Sequence, residues 1–127
     1  MNDSICLQKK QNINIGSCEL SINSMNESAL VILVFNTFSN FEKDYNHNRL
    51  LTDTQSIGAA IQNLILAAQE FELGTLWICD IFYCSSEICS WLNRKDELVA
   101  AIAIGYPDQS PFERPRKTLV EVTEWMY

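Results

Sequence analysis

The sequence predicts a single domain in which helices pack on a β-sheet. An apolar run of strand length spans residues 29–35, a second spans residues 98–104, and between them residues 54–71 repeat apolar side chains at helical spacing. A chain of 127 residues with 47% hydrophobic residues is one domain with an apolar core. An apolar helix needs a surface to pack on, which the two strands would supply.

The longest predicted element is a helix over Thr54–Phe71. Its apolar face consists of Ile57, Ala60, Ile61, Leu64, Ala68 and Phe71. Thr52 with Gln55 fits a capping box at the start, and Gly74 fits the left-handed position after the end. Apolar residues at 65–67 widen the face, so we expect a sheet to cover one side and a second copy of the chain to cover the other.

The two apolar runs are predicted as buried strands. The run from Ala29 to Phe35 contains only apolar residues, so neither face of a strand there would be polar. This predicts a central strand covered on both faces. Leu98–Ile104 predicts a second buried strand of smaller residues. It stops before Pro107, because proline cannot donate to a strand ladder.

The remaining segments are predicted as a short helix and loops. Glu87–Asn93 follows two serines and places Ile88, Trp91 and Leu92 on one face, which indicates a helix. Residues 1–28 and 36–48 are rich in Asn and Ser and lack a helical or strand period, so they are predicted as mainly loops. Within the first of these, residues 6–15 could hold a short strand.

Charge and hydropathy exclude several classes of partner. The formal net charge is −7 and the pI is about 4.5, whereas nucleic acids and anionic membranes attract a basic face. The longest apolar run, residues 29–35, is too short to cross a bilayer, and the N-terminus lacks the apolar core of a signal peptide. We therefore expect a soluble, cytoplasmic protein.

The cysteines and the histidine do not form a metal-binding pattern. The five cysteines stand at positions 6, 18, 79, 84 and 89 without a C-x-x-C pair, and His47 is the only histidine. Zinc sites use close-set pairs of such ligands, so no metal is expected. The cysteines in or beside apolar segments are interpreted as buried free thiols of a reducing compartment.

Two stretches remain as candidate binding regions. Residues 75–83 are aromatic and carry only one charge, at Asp80, which indicates the wall of a core, an interface or a planar ligand site. Arg114, Arg116 and Lys117 supply three of the nine lysines and arginines within one short span. The apolar tail that follows is predicted to dock on another surface, because free tails are normally polar.

Three blocks, taken in order, resemble the C-terminal half of the FMN-dependent nitroreductase family: DTQSIGAAIQNLILAAQEFELGTLWI, ELVAAIAIGYP and RPRKTLVEV. The resemblance runs from about Ser28 to Trp125. It implies an α+β fold, a three-layer α/β/α arrangement with a mostly antiparallel central sheet, shortened at its N-terminus. It also implies one nitroreductase-like domain over 1–127, with 1–27 poorly defined and 28–127 as the core, and an intertwined homodimer.

The resemblance implies an activity and a set of binding residues. The family's members are NAD(P)H oxidoreductases that pass hydride through flavin N5 to nitroaromatic, quinone or similar acceptors. The residues that match the stretch beside the isoalloxazine are Leu76, Trp77, Ile78 and Cys79. Arg114 and Arg116 match the basic pair that binds the FMN phosphate, which suits the guanidinium fork. No His, paired carboxylate or activated Ser or Cys is identified as a catalytic residue.

The chain also departs from the family pattern, which leaves alternatives open. The N-terminal arginine-rich motif is missing, since the first arginine is Arg49, and Cys79 stands where a glycine is frequent. The alternative is a truncated, non-catalytic nitroreductase-like domain that serves interaction or is a remnant. A third interpretation is a thiol-based redox sensor that uses Cys79, Cys84 and Cys89.

Overall fold

The computed structural model describes residues 16–127, with side chains from residue 18 onward. Its helices and strands, in chain order, are α1 Gly16–Glu27, β1 Leu30–Asn36, α2 His47–Glu70, β2 Gly74–Ile78, α3 Ser85–Trp91, β3 Glu97–Gly105 and α4 Leu119–Val122. Short 3₁₀ turns follow β1 at Phe38–Asn40 and β2 at Asp80–Cys84. The expected strand at 6–15 and Cys6 lie outside the described residues.

Within the described residues, the sheet has three strands in the order β1-β3-β2, and both pairings are antiparallel. Strand β3 is therefore central, and its residues Ala100, Ala101 and Ile102 are 0% exposed. The prediction that the run at 29–35 is the central strand is wrong, because within the described chain β1 pairs with β3 alone and most of it is half-buried. The run is apolar because helices pack on both faces of the sheet, not because β1 has a neighbouring strand at each edge.

The sheet is covered on both faces, which confirms the three-layer α+β fold. On one face, α2 contributes Ile57, Ile61 and Leu64 to a cluster with Ala100 and Ile102. On the other face, a second cluster of Ile78, Ile81, Leu98, Ala101 and Ala103 packs against residues of α1 and α3. The small side chains of β3 leave room for elements on both sides, and this burial is the main stabilising term.

Helix α1 and the start of α2 differ from the sequence prediction. Residues 16–27 form a helix and not a loop, and it is tied to the segment after β2 by Ser21 Oγ, which donates to Asp80 Oδ2 at 2.9 Å. Helix α2 begins at His47, capped by Asn46, whose Oδ1 accepts from Arg49 N at 3.1 Å. The capping box at Thr52 is therefore wrong, since that residue lies inside the helix.

Helix α2 ends through a left-handed residue that is not glycine. Glu72 has a φ of 58°, its N–H donates to Gln69 O at 2.9 Å, and Leu73 N donates to Ala68 O at 3.0 Å. These two bonds define a Schellman motif, in which glycine is usual because it has no Cβ. The prediction of Gly74 for this role is wrong, because Gly74 opens β2 and no described glycine has a positive φ.

A buried polar network holds the loop between β1 and α2. Asn36 is 1% exposed, its Nδ2 donates to the Tyr45 hydroxyl at 2.6 Å, and its Oδ1 accepts from Phe38 N at 3.1 Å. The Tyr45 hydroxyl in turn donates to Asp53 Oδ2 at 3.1 Å. Burial and the Asp53 hydrogen bond raise the pKa of Tyr45, so the hydroxyl keeps its proton and its role as donor.

Replacing Glu72 with glycine should stabilise the fold by about 1 kcal/mol, because the Cβ clash of a left-handed residue disappears. The denaturant midpoint should rise accordingly. Glu70→Gly is the matched control, because that residue lies in the last helical turn and glycine there costs about 1 kcal/mol. A fall in both midpoints would contradict the role assigned to Glu72.

Replacing Asn36 with alanine should lower the free energy of unfolding by about 1–3 kcal/mol. Two hydrogen bonds of a buried amide are lost, and the Tyr45 hydroxyl and Phe38 N each lose a partner. Asn26→Ala, at an exposed position near the end of α1, should change it little. Equal effects of the two variants in a urea titration would show that the network does not stabilise the loop.

Candidate functional site

Strand β2 contains Leu76, Trp77 and Ile78, three of the four predicted residues of the wall (residues 76–79). Their side chains alternate between the two faces of the sheet. Trp77 lies opposite Ile102, on the α2 face, whereas Leu76 and Ile78 lie opposite Ala103 and Ala101, on the other face. Ile78 is 2% exposed, but Trp77 is 37% exposed and Leu76 is 43% exposed. The four predicted residues therefore cannot all present side chains to one planar surface.

Residues 76–78 lie on an edge strand, so one side of their backbone has no neighbouring strand among the described residues. Among the described strands β2 pairs only with β3, so the opposite edge of β2 has no strand beside it. Its peptide groups are held in position by the ladder to β3, from Gly74 opposite Gly105 to Ile78 opposite Ala101. Fixed N–H groups at such an edge are available to a ligand or to another strand.

The segment after β2 is anchored from the α1 side. Cys79 is exposed, and the turn that follows places Ile81 in the core at 1% exposure. The Asp80 carboxylate accepts the Ser21 hydroxyl bond described above, which joins positions 59 residues apart in the chain. The C-terminal end of the wall, at Cys79, is therefore held in place by contacts between distant parts of the chain, which no local sequence pattern predicts.

Trp77 packs over a glycine of α2, and this contact was not predicted. A Cβ built on Gly58 would lie 3.6 Å from Cη2 of the Trp77 indole. Glycine within a helix costs about 1 kcal/mol relative to alanine, so its presence calls for a local reason. The only sequence signal was a glycine in the middle of an otherwise regular helical pattern.

The predicted phosphate ligands belong to the C-terminal tail and not to β2. Arg114 and Arg116 are exposed, as is every residue from Tyr106 to Tyr127. Within residues 16–127 the ion pairs involve Arg49 and Arg94, so neither tail arginine has an acidic partner there. Among the described residues, no hydrogen bond or ion pair joins either tail arginine to β2.

A short capped helix fixes the end of the basic stretch. Thr118 N and Oγ1 donate to Glu121 Oε2 at 2.8 and 2.7 Å, and the backbone bond holds the pKa of Glu121 below its usual value. This capping box starts α4 directly after Lys117. Nothing in the described chain covers α4 or the tail beyond it, so the expectation that the tail docks on another surface remains a prediction.

The thiols from Cys18 onward show no sign of an activated redox centre. The four cysteines from Cys18 onward are free. Burial, and to a smaller extent the charge of Glu87, raises the pKa of Cys84 and so lowers its thiolate fraction. The Cys89 thiol donates a hydrogen bond to Asp96 O at 3.6 Å. Within the described range, no cluster of His, Cys, Asp and Glu is suited to a metal, and no helix is long and apolar enough to span a membrane.

Comparison with protein families identifies the class. The model of the Nitroreductase family matches residues 7–106, and the chain belongs to this family. The match covers the sheet, α2 and the predicted wall, and it ends before Arg114. The role of the tail arginines is therefore outside the matched segment and stays a prediction.

A solved structure shows the same fold and bears a flavin. The chain is 33% identical to a protein from Desulfovibrio desulfuricans, described as a nitroreductase in complex with FMN, with a TM-score of 0.59. The similarity covers 76% of this chain and 54% of that chain. This chain thus spans about half the length of the relative that it matches.

Proposed function

We propose that this chain forms part of an FMN-dependent NAD(P)H oxidoreductase that transfers hydride to nitroaromatic, quinone or similar acceptors. The observation that carries the proposal is the exposed apolar end of β2 at Leu76 and Trp77, beside a free backbone edge. Beside the buried centre of β3, an indole that is 37% exposed offers a large apolar surface that nothing within residues 18–127 covers. Membership of the nitroreductase family supports a flavin as the group that covers it.

The chemistry of the exposed groups fits FMN. Trp77 supplies apolar surface on the α2 face of the sheet edge, which suits contact with a planar ring, whereas Leu76 supplies apolar surface on the opposite face. Arg114 and Arg116 lack acidic partners within residues 16–127, so their guanidinium groups are free to bind a phosphate. Bound FMN would supply the hydride-transfer chemistry, and the protein would supply binding and electrostatics.

The N–H groups of β2 are suited to favour the reduced form of the ring. A reduced flavin gathers negative charge, and N–H dipoles that are already fixed stabilise it without reorganising. Here they are fixed by the β3 ladder and by the anchoring of Asp80 and Ile81 behind it. Cys79 lies between these anchors and is exposed, so its side chain can limit how closely a ring approaches.

A second copy of the chain is the partner that best completes the site. Helix α2 exposes Leu51 and Leu66, the segment after it exposes Phe71, and Leu119–Tyr127 is exposed throughout. Such apolar surface on a small chain indicates an interface. In a homodimer the tail of one copy could bring its arginines to the wall of the other.

The alternative is a nitroreductase-like domain that no longer catalyses and acts through interaction. It is supported by the lack of any hydrogen bond or ion pair between the two arginines and β2 within residues 16–127. A visible absorption spectrum of the purified protein distinguishes the two, because only a flavoprotein carries the yellow chromophore. Free cysteines support a reducing, cytoplasmic location for either.

Replacing Leu66 with aspartate should convert the dimer into a monomer, because an interface cannot bury an unpaired charge. Leu66 is 55% exposed in the chain, so its own fold should tolerate the change. Leu20→Asp, at an exposed leucine of α1, is the control and should leave the mass unchanged. Light scattering that gives a monomer for the unmodified protein would contradict the proposed dimer.

Replacing Arg116 with alanine should weaken FMN binding by roughly tenfold to a hundredfold, the usual contribution of one charge-assisted hydrogen bond. Arg114→Ala should weaken it as well. Riboflavin, which has no phosphate, should bind equally to all three proteins in a fluorescence titration. Equal losses for FMN and riboflavin would show that the arginines act on folding and not on the phosphate.

A further inference from the structure

Gly58 is a glycine that the fold of the chain does not require. It lies in the middle of the 24-residue helix α2, where only proline is a poorer helix former. Its φ is not positive, so no backbone conformation demands glycine. Its neighbours Ile57 and Ile61 point into the core cluster, which places Gly58 at the border between the core and the open side of the helix.

Among the described residues, Gly58 has one nearby group. Within 4 Å of a Cβ built at this position, outside the helix backbone and the two chain neighbours, the one described atom is Cη2 of Trp77, at 3.6 Å. That distance is an ordinary van der Waals contact, so alanine would fit. Any side chain longer than a methyl group would extend toward the indole or into the open space beside it.

We propose that Gly58 is a positioning residue, and that the small size of residue 58 allows the Trp77 indole to lie over α2 as one side of a ring-binding surface. The part of this inference that concerns the ring rests on the proposed function. The part that concerns the indole rests on the contact alone. A larger side chain at position 58 displaces the indole and removes the surface that a planar ring would contact.

The first measurement follows the indole without any flavin. Trp91 and Trp125 are 81% and 73% exposed, so their replacement by phenylalanine leaves Trp77 as the only tryptophan at little cost. In this background, Gly58→Leu should shift the Trp77 emission to longer wavelength and increase its quenching by iodide. Gly58→Ala should leave both unchanged, because the methyl group fits.

The matched control is Ala60→Leu, an exposed position on the same helix and about 200° around it from Gly58. It adds the same side chain without approaching the indole, so the emission should not move. Equal emission for Gly58→Leu and Ala60→Leu would overturn the proposal. If Gly58→Leu fails to fold, Gly58→Val replaces it, and an unchanged emission in that variant overturns the proposal equally.

The second measurement is a titration with FMN. Gly58→Leu should lower FMN affinity by roughly twofold to tenfold, as expected for the loss of one aromatic contact, while Ala60→Leu should not. A shifted emission with unchanged FMN affinity would overturn the ring-binding part. If the unmodified chain does not bind FMN at all, the proposed function fails, and the flavin-free emission still decides the role of Gly58.

Discussion

The packing of helices against both faces of β3 is the constraint on which the rest of the structure depends. Its alanines and Ile102 are buried, so the strand can be central only while α2 covers one face and α1 and α3 cover the other. That arrangement fixes β2 along one side of β3, and with it the exposed Leu76 and Trp77. The candidate site is therefore a consequence of how the core is filled.

The sequence predicted the elements whose pattern is local. Helix α2 and strand β3 follow from apolar periodicity and run length, and both are present. Helix α1 was missed because its Asn- and Ser-rich sequence has a weak apolar face, and its contacts with the core and with Asp80 join distant parts of the chain. The central place of β3 and the left-handed Glu72 were also missed, because pairing order and helix ends are set by the whole chain.

The site was predictable only in its separate parts. Leu76, Trp77 and Cys79 are exposed and Ile78 is buried, and strand alternation places Trp77 and Leu76 on different faces, which run length cannot show. The contact between Trp77 and Gly58 joins two elements and has no signature in either segment. Arg114 and Arg116 are exposed and have no acidic partner within residues 16–127, but no local pattern shows how they would meet the wall.

The most direct test is to follow the amide signals of the chain by NMR during a titration with FMN. The account predicts that the backbone signals of Leu76–Cys79 and the side-chain signals of Arg114 and Arg116 move together along one binding curve. Riboflavin should move the first set and leave the second in place. Signals that move only elsewhere in the chain, or an absence of change at millimolar FMN, would contradict the assignment of a flavin site to this surface.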